Sequence, residues 1–140
     1  VIGSNNISAA ILDISPVGKK MPDFIKSKMK SITAPQFKEP RTLPPWGYIF
    51  SPYVCFVRPV DLYEAKLFLG LIDDYLSILL SLLIFIRPDS IKSLNSIERL
   101  KYQKQYCTNQ RRNDKTRSIL TKFFGSSWAD TYINKVLFDC

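Results

Sequence analysis

The run Gln110-Arg111-Arg112-Asn113-Asp114-Lys115-Thr116-Arg117 sets one carboxylate among four cations, just ahead of the apolar pairs Ile119-Leu120 and Phe123-Phe124. Two chemistries fit that pattern. In the plainer one, Asn113 or Asp114 caps a helix, the arginines coat its surface, and Asp114 pairs with Arg117 three residues on. In the sharper one, Asp114 donates a proton and the cations around it hold an acidic ligand. Arg41 is a second cation in a special setting. It lies within the four-proline segment Ala34 to Gly47, in which Pro44-Pro45 fixes how Trp46 is presented. Taken by residue type and spacing alone, Arg41 is a surface cation and Trp46 a core anchor. The residues by themselves define a basic α/β domain with the makings of an anion site.

Composition removes several classes of function. The 140 residues contain no histidine, which excludes Ser-His and Cys-His nucleophiles and imidazole-dependent zinc sites within this chain. Cys55, Cys107 and Cys140 are odd in number, far apart and without a CxxC pair, so buried or idle thiols in a reducing compartment are expected. Five scattered glycines form no phosphate loop and no dinucleotide fingerprint. The net charge of +8 favours an acidic partner: nucleic acid, an anionic membrane, an acidic redox protein or a carboxylate ligand. Between Arg99 and Lys122 eight Lys or Arg stand against Asp114 alone. The aromatics are not interleaved with these cations as a stacking platform for nucleic acid requires.

The elements that must position these residues follow from periodicity and breakers. Ile7 to Ile14 (ISAAILDI), stopped by Ser15-Pro16, predicts a strand. PDFIKSKMKSI predicts a short helix with Ile25, Met29 and Ile32 on one face. The Ala34–Gly47 segment predicts a rigid extended loop, and Ile49 to Pro59 a second strand. Asp61 starts a helix expected to reach about Phe85. Its uncharged end, Tyr75 to Ile86, is only 12 residues long and follows Asp73-Asp74, whereas a membrane span needs about 20 apolar residues. A buried core helix is expected instead. A basic helix from about Ser96 to Thr108 follows, then the helix of the QRRNDKTR segment, stopped by Gly125. Ser126-Ser127 is expected to cap a closing helix with Trp128, Tyr132 and Val136 along one face. The fold class read from these elements is α/β or α+β, with too few strands to close a sheet.

Three stretches, NISAAILDISP, RTLPPWGYIFSPYVCFVRP and YCTNQRRNDKTRSILTKFFGSSWADTYINKVLFD, together resemble the ferredoxin-dependent bilin reductases. The likeness spans nearly the whole chain and is weakest from Leu80 to Ser96. The order and separation of LPPWG-x-IFS, NDKTR and VLFD make it specific. The resemblance implies a three-layer α/β/α sandwich with a central antiparallel sheet, biliverdin lying between the sheet and the C-terminal helices. It implies no bound metal or flavin, single electrons from reduced ferredoxin, protons from side chains and water, and bilin radical intermediates. The implied product is phycocyanobilin, with dihydrobiliverdin, phycoerythrobilin or an inactive bilin-binding remnant as alternatives. It further implies a monomer in the plastid stroma or cyanobacterial cytoplasm, engaging neither nucleic acid nor membrane.

Residue by residue, Ser8 and Arg41 resemble positions that hold the pigment's propionates, and Trp46 resembles the aromatic that borders it. Asn113 and Lys115 resemble residues lining the pocket from the C-terminal side, Lys115 also as a propionate or water partner. Ile119 and Leu137 match apolar pocket positions. Asp114 matches the acid of the NDK motif, a proton source or water-orienting group. The chemistry agrees: two propionates suit a guanidinium, and burial beside an apolar pigment raises a carboxyl group's proton affinity. A basic surface would steer acidic ferredoxin.

The chain also departs from the pattern. The family's main catalytic acid would align two residues ahead of Val1, and its partner histidine and a pocket glutamate further upstream. Residues 1–140 are therefore expected to be the C-terminal part of a single domain, with strands missing and one face of the core open to water. Leu79-Leu80 replaces residues that are polar or histidine in the resembling enzymes.

Overall fold

The structure is a computed structural model and describes residues 2–3, 7–18, 20–84 and 86–139. It forms two compact units, Val1–Pro88 and Asp89–Cys140.

The first unit is a small antiparallel sheet with two helices. Its strands β1 (Ile2–Gly3), β2 (Ile7–Leu12) and β3 (Cys55–Val57) lie in that order. The β2–β3 register pairs Ala10 with Val57, Ile11 with Phe56 and Leu12 with Cys55. β2 stops at Leu12, two residues short of the expected Ile14, because Asp13 turns to another task. Its carboxylate accepts the Ser15 hydroxyl at 2.5 Å, the Ser51 hydroxyl at 2.5 Å and the Ser51 N–H at 3.0 Å. The same contacts shorten the second expected strand. Residues Gly47–Ile49 form a 3-10 turn, Ser51 is held by Asp13, and Pro52 has no N–H for a ladder, so β3 begins only at Cys55.

Helix α1 (Asp23–Ser31) buries Ile25 and Met29, the face its spacing predicts, and Ile32 packs against the same cluster. Helix α2 (Leu62–Leu83) is capped by Asp61, whose side chain accepts the Glu64 N–H at 2.8 Å. That bond and the Lys38 ammonium hold the Asp61 carboxyl below its ordinary range. The expected end at Phe85 lies outside the described residues. Phe68, Leu71, Tyr75 and Ile78 form the buried face of α2, and burying an aliphatic or Phe side chain stabilises by about 1.5–3 kcal/mol. Phe68 meets Ala10 and Val57 of the sheet; Leu71, Tyr75 and Ile78 meet Ile25 and Met29.

The expectation of a core helix therefore holds for one face only. Leu62, Leu69, Leu76 and Leu83, seven residues apart, are between 49% and 72% exposed on the other side. Ile11 of β2 is also exposed. No helix among the described residues is long and apolar enough to cross a membrane.

The second unit comprises α3 (Leu94–Gln110), α4 (Asp114–Phe124), α5 (Ser126–Tyr132) and a π-helical turn, Ile133–Leu137. α3 starts two residues before the expected Ser96 because Ser93 caps it, its hydroxyl accepting the Ser96 N–H at 3.2 Å. Gly125 ends α4 at a φ of +84°, a conformation that favours glycine, and also stands at the cap position of α5. Ser126 is already helical, so the expected serine cap is replaced by the glycine. The face of the closing helix that carries Trp128 and Val136 is not the one it buries. Ala129 and Ile133 are buried, whereas Trp128 and Val136 are exposed. The small alanine lets the turn pack closely, and the rings instead stack outside: Phe124 to Trp128 at 4.5 Å and Trp128 to Tyr132 at 4.7 Å between centroids.

Candidate functional site

In the first unit, the proline-rich loop runs beside β3 without joining it as a regular strand. Pro40 has no N–H, so its neighbours make the ladder: the Arg41 N–H donates to the Phe56 carbonyl at 2.8 Å and the Arg58 N–H to the Glu39 carbonyl at 2.9 Å. This pairing fixes the start of the Arg41 side chain. Its Nη2 donates to the Ser8 carbonyl of β2 at 3.1 Å. Ser8 and Arg41, two of the expected ligand residues, thus lie together. Both are solvent-exposed. Trp46 follows in the turn closed by the Gly47 N–H on the Pro44 carbonyl, at 2.8 Å. Its ring is half-buried, 6.3 Å from that of Phe50. Gly47 is required there, since a Cβ would sit 2.8 Å from the Cβ of Leu43.

Arg41 edges a cavity of about 520 Å³, walled by Met29, Leu43, Tyr53, Cys55, Val57 and Tyr75 among others. Its surface is mostly apolar, with phenol, thiol and guanidinium groups at a few points, as in small-molecule sites. The Tyr75 hydroxyl donates to the Tyr53 carbonyl at 2.5 Å. Burial, reinforced by Cys55 and the Asp13 carboxylate, pushes the Tyr75 phenol up to about 12. Burial also pushes the Cys55 thiol up, which keeps it protonated and unreactive at neutral pH. Sequence reasoning missed Tyr53, Cys55 and Tyr75 as a group. Their only signal was the aromatic β3 segment, which says nothing of a partner on α2.

In the second unit the QRRNDKTR segment closes α3 and opens α4. Asn113 is the cap: its Oδ1 accepts the Thr116 N–H at 3.2 Å. Asp114 and Lys115 occupy the exposed first turn, where a carboxylate complements the helix dipole. Lys115 and Ile119, four apart, share one face of α4, and Ile119 is exposed. Leu137 is exposed at the end of the π-helical turn.

Two of the other three cations of the motif are structural. Arg111 donates from Nε and Nη2 to the Phe138 carbonyl, at 3.2 and 2.7 Å, and so fastens the end of the chain. Arg117 forms an ion pair with Asp130 of α5 and donates to the Arg111 carbonyl. The expected Asp114–Arg117 pairing is therefore replaced by one across the α4–α5 corner. Separation in sequence hid both contacts. Among the described residues, no group of three or more His, Cys, Asp or Glu side chains is placed to hold a metal ion. Cys140 lies outside the described residues.

In the first unit, an arginine held at a sheet edge beside an apolar cavity suits an acidic small molecule. Sequence comparison gives the class. A family model described as "Ferredoxin-dependent bilin reductase" matches residues 1–139, and the chain belongs to that family.

Within it, individual relatives carry a more specific name. The chain is 46% identical over 139 residues to the phycocyanobilin:ferredoxin oxidoreductase of Prochlorococcus marinus (strain MIT 9313), covering 99% of this chain and 53% of that protein. It is 47% identical over 133 residues to the protein of the same name from strain MIT 9303, with 95% and 50% covered. The Trichodesmium erythraeum (strain IMS101) protein of that name is 42% identical over 135 residues, with 95% and 54% covered. The chain spans about half the length of the curated relatives it matches.

Proposed function

We propose that the protein reduces biliverdin with electrons from ferredoxin, and that phycocyanobilin is the product. The observation that carries this reading is the Arg41–Ser8 contact at 3.1 Å, 33 residues apart in sequence, at the edge of an apolar cavity. It sets side by side the two residues expected to receive propionates, and a guanidinium binds a carboxylate through two parallel charge-assisted bonds. The names of the relatives support the reaction and the product.

In this reading Arg41 and Ser8 anchor propionates and Trp46 borders the pigment. Asn113, Lys115, Ile119 and Leu137 line it from the C-terminal helices, and Asp114 supplies a proton or orients water. The complete fold is a three-layer α/β/α sandwich, of which residues 1–140 form the C-terminal part of a single domain. It carries no metal or flavin of its own and works as a monomer, in cyanobacterial cytoplasm or plastid stroma. Membranes and nucleic acid play no part.

Titrating biliverdin into the protein by visible absorbance tests the reading. Arg41→Ala is expected to weaken binding by about 1.5–3 kcal/mol, the scale of a hydrogen bond to a charged group. An unchanged Kd would remove Arg41 from the pigment site. Chromatography of the ferredoxin-driven reaction identifies the product, and pigment that binds but is never reduced leaves only a bilin-binding chain.

A further inference from the structure

Charge is unevenly divided between the two units. From Asp89 to Cys140 ten Lys or Arg stand against five Asp or Glu. Several of these cations are committed internally: Arg99 to Asp89, Arg117 to Asp130 and Arg111 to the Phe138 carbonyl. Helix α3, which carries Arg99, has one buried and one exposed side. Its Cys107, Asn109 and Gln110 are buried. Leu94, Ile97, Lys101, Lys104 and Thr108, at spacings of 3, 4, 3 and 4, make a stripe in which every member is exposed. Leu94 is 84% and Ile97 57% exposed, and Ile91 just ahead of the helix is 90% exposed. Glu98 is the acid of this helix.

Burying two lysines under an apolar covering costs several kcal/mol per charge. The exposed stripe is therefore suited to a partner that supplies carboxylates. A few exposed apolar side chains with cations alongside form the kind of surface that transient, charge-steered complexes use. Of the partners the proposed reaction requires, the pigment is a small molecule and the electron donor is an acidic protein. We propose that the α3 stripe from Leu94 to Lys104 is the surface on which ferredoxin docks. The inference rests on the ferredoxin dependence proposed above. Leu94 and Ile97 supply the dry centre of the contact, and Lys101 and Lys104 supply steering and register.

The test is titration of ferredoxin into the protein by calorimetry at low salt, repeated at higher salt. Lys101→Glu with Lys104→Glu is expected to weaken binding about tenfold at low salt, with the difference shrinking as salt screens the charges. Lys26→Glu with Lys30→Glu, on exposed positions of α1, makes the same change in net charge and is expected to stay within about twofold of the parent. Helical circular dichroism of both variants confirms that they fold. Equal losses in the two variants, or no loss in the α3 variant, would overturn the docking surface while leaving ferredoxin dependence standing. A parent that takes up no ferredoxin at low salt overturns both.

Discussion

Arg117 pairs with Asp130 across the corner between α4 and α5, although Asp114 stands three residues before it on its own helix. Asp114 is thereby left in the exposed first turn, where losing its charge costs little. Asp114→Asn should leave stability within about 1 kcal/mol of the parent, the size of a terminal dipole interaction. In the ferredoxin-driven reduction of biliverdin it should change the product ratio or stall an intermediate. Identical chromatograms from variant and parent would take Asp114 out of the mechanism.

Asn113 is claimed by two roles, helix cap and pocket residue, and substitution can part them. Asn113→Ala should destabilise the protein by about 1 kcal/mol through loss of the bond to the Thr116 N–H. Asn113→Ser keeps a capping oxygen and should unfold near the parent's denaturant midpoint. If Asn113→Ser binds biliverdin as the parent does, the residue caps and does nothing more.

Glu64 is 3% exposed yet carries a carboxylate, and both of its oxygens are in use. Oε1 accepts the Lys38 N–H and Oε2 the Val60 N–H, each at 3.0 Å, so the acid joins the start of α2 to two loops. Glu64→Ala strands two donors and should cost about 2–4 kcal/mol by urea unfolding. Glu64→Gln keeps one acceptor and should cost roughly half as much. Equal effects would mean that space filling, and not hydrogen bonding, explains the burial.

Tyr75 should be seen in alkaline titration. Its folded-state value of about 12 lies above the ordinary phenol value of 10.0. Its neutral form is therefore favoured by folding. That contribution is complete below pH 10 and is lost as pH rises through 12. Phenolate absorbance should show a late-ionising group that is removed by Tyr75→Phe. The stability of Tyr75→Phe should fall less steeply than the parent's across that window. A late phase that survives the substitution would assign it elsewhere.

What could be read in advance was local. The α1 face of Ile25 and Met29, the Asp61 start of α2, the Gly125 stop and a cap at Asn113 all depend on neighbours within one or two helical turns. What escaped was long-range. β3 is short because Asp13, 38 residues away, takes Ser51 out of the ladder. Glu64 is by type and position an ordinary first-turn acid, and nothing local foretells its bond to Lys38, 26 residues back. Periodicity put Trp128, Tyr132 and Val136 on one face of the closing helix but did not say which face is buried; the interior takes Ala129 and Ile133. Of the site, the Arg41–Ser8 contact could not be read from spacing, since both residues read alone are ordinary surface groups.

The placement of the two tryptophans gives each compact unit its own lamp. Trp46 lies in Val1–Pro88, half-buried beside Phe50, and Trp128 lies in Asp89–Cys140, stacked between Phe124 and Tyr132. Trp46→Phe leaves emission from the second unit alone, and Trp128→Phe leaves emission from the first. A matched pair of denaturation curves then reads out whether the two halves of the chain melt as one cooperative body or in succession.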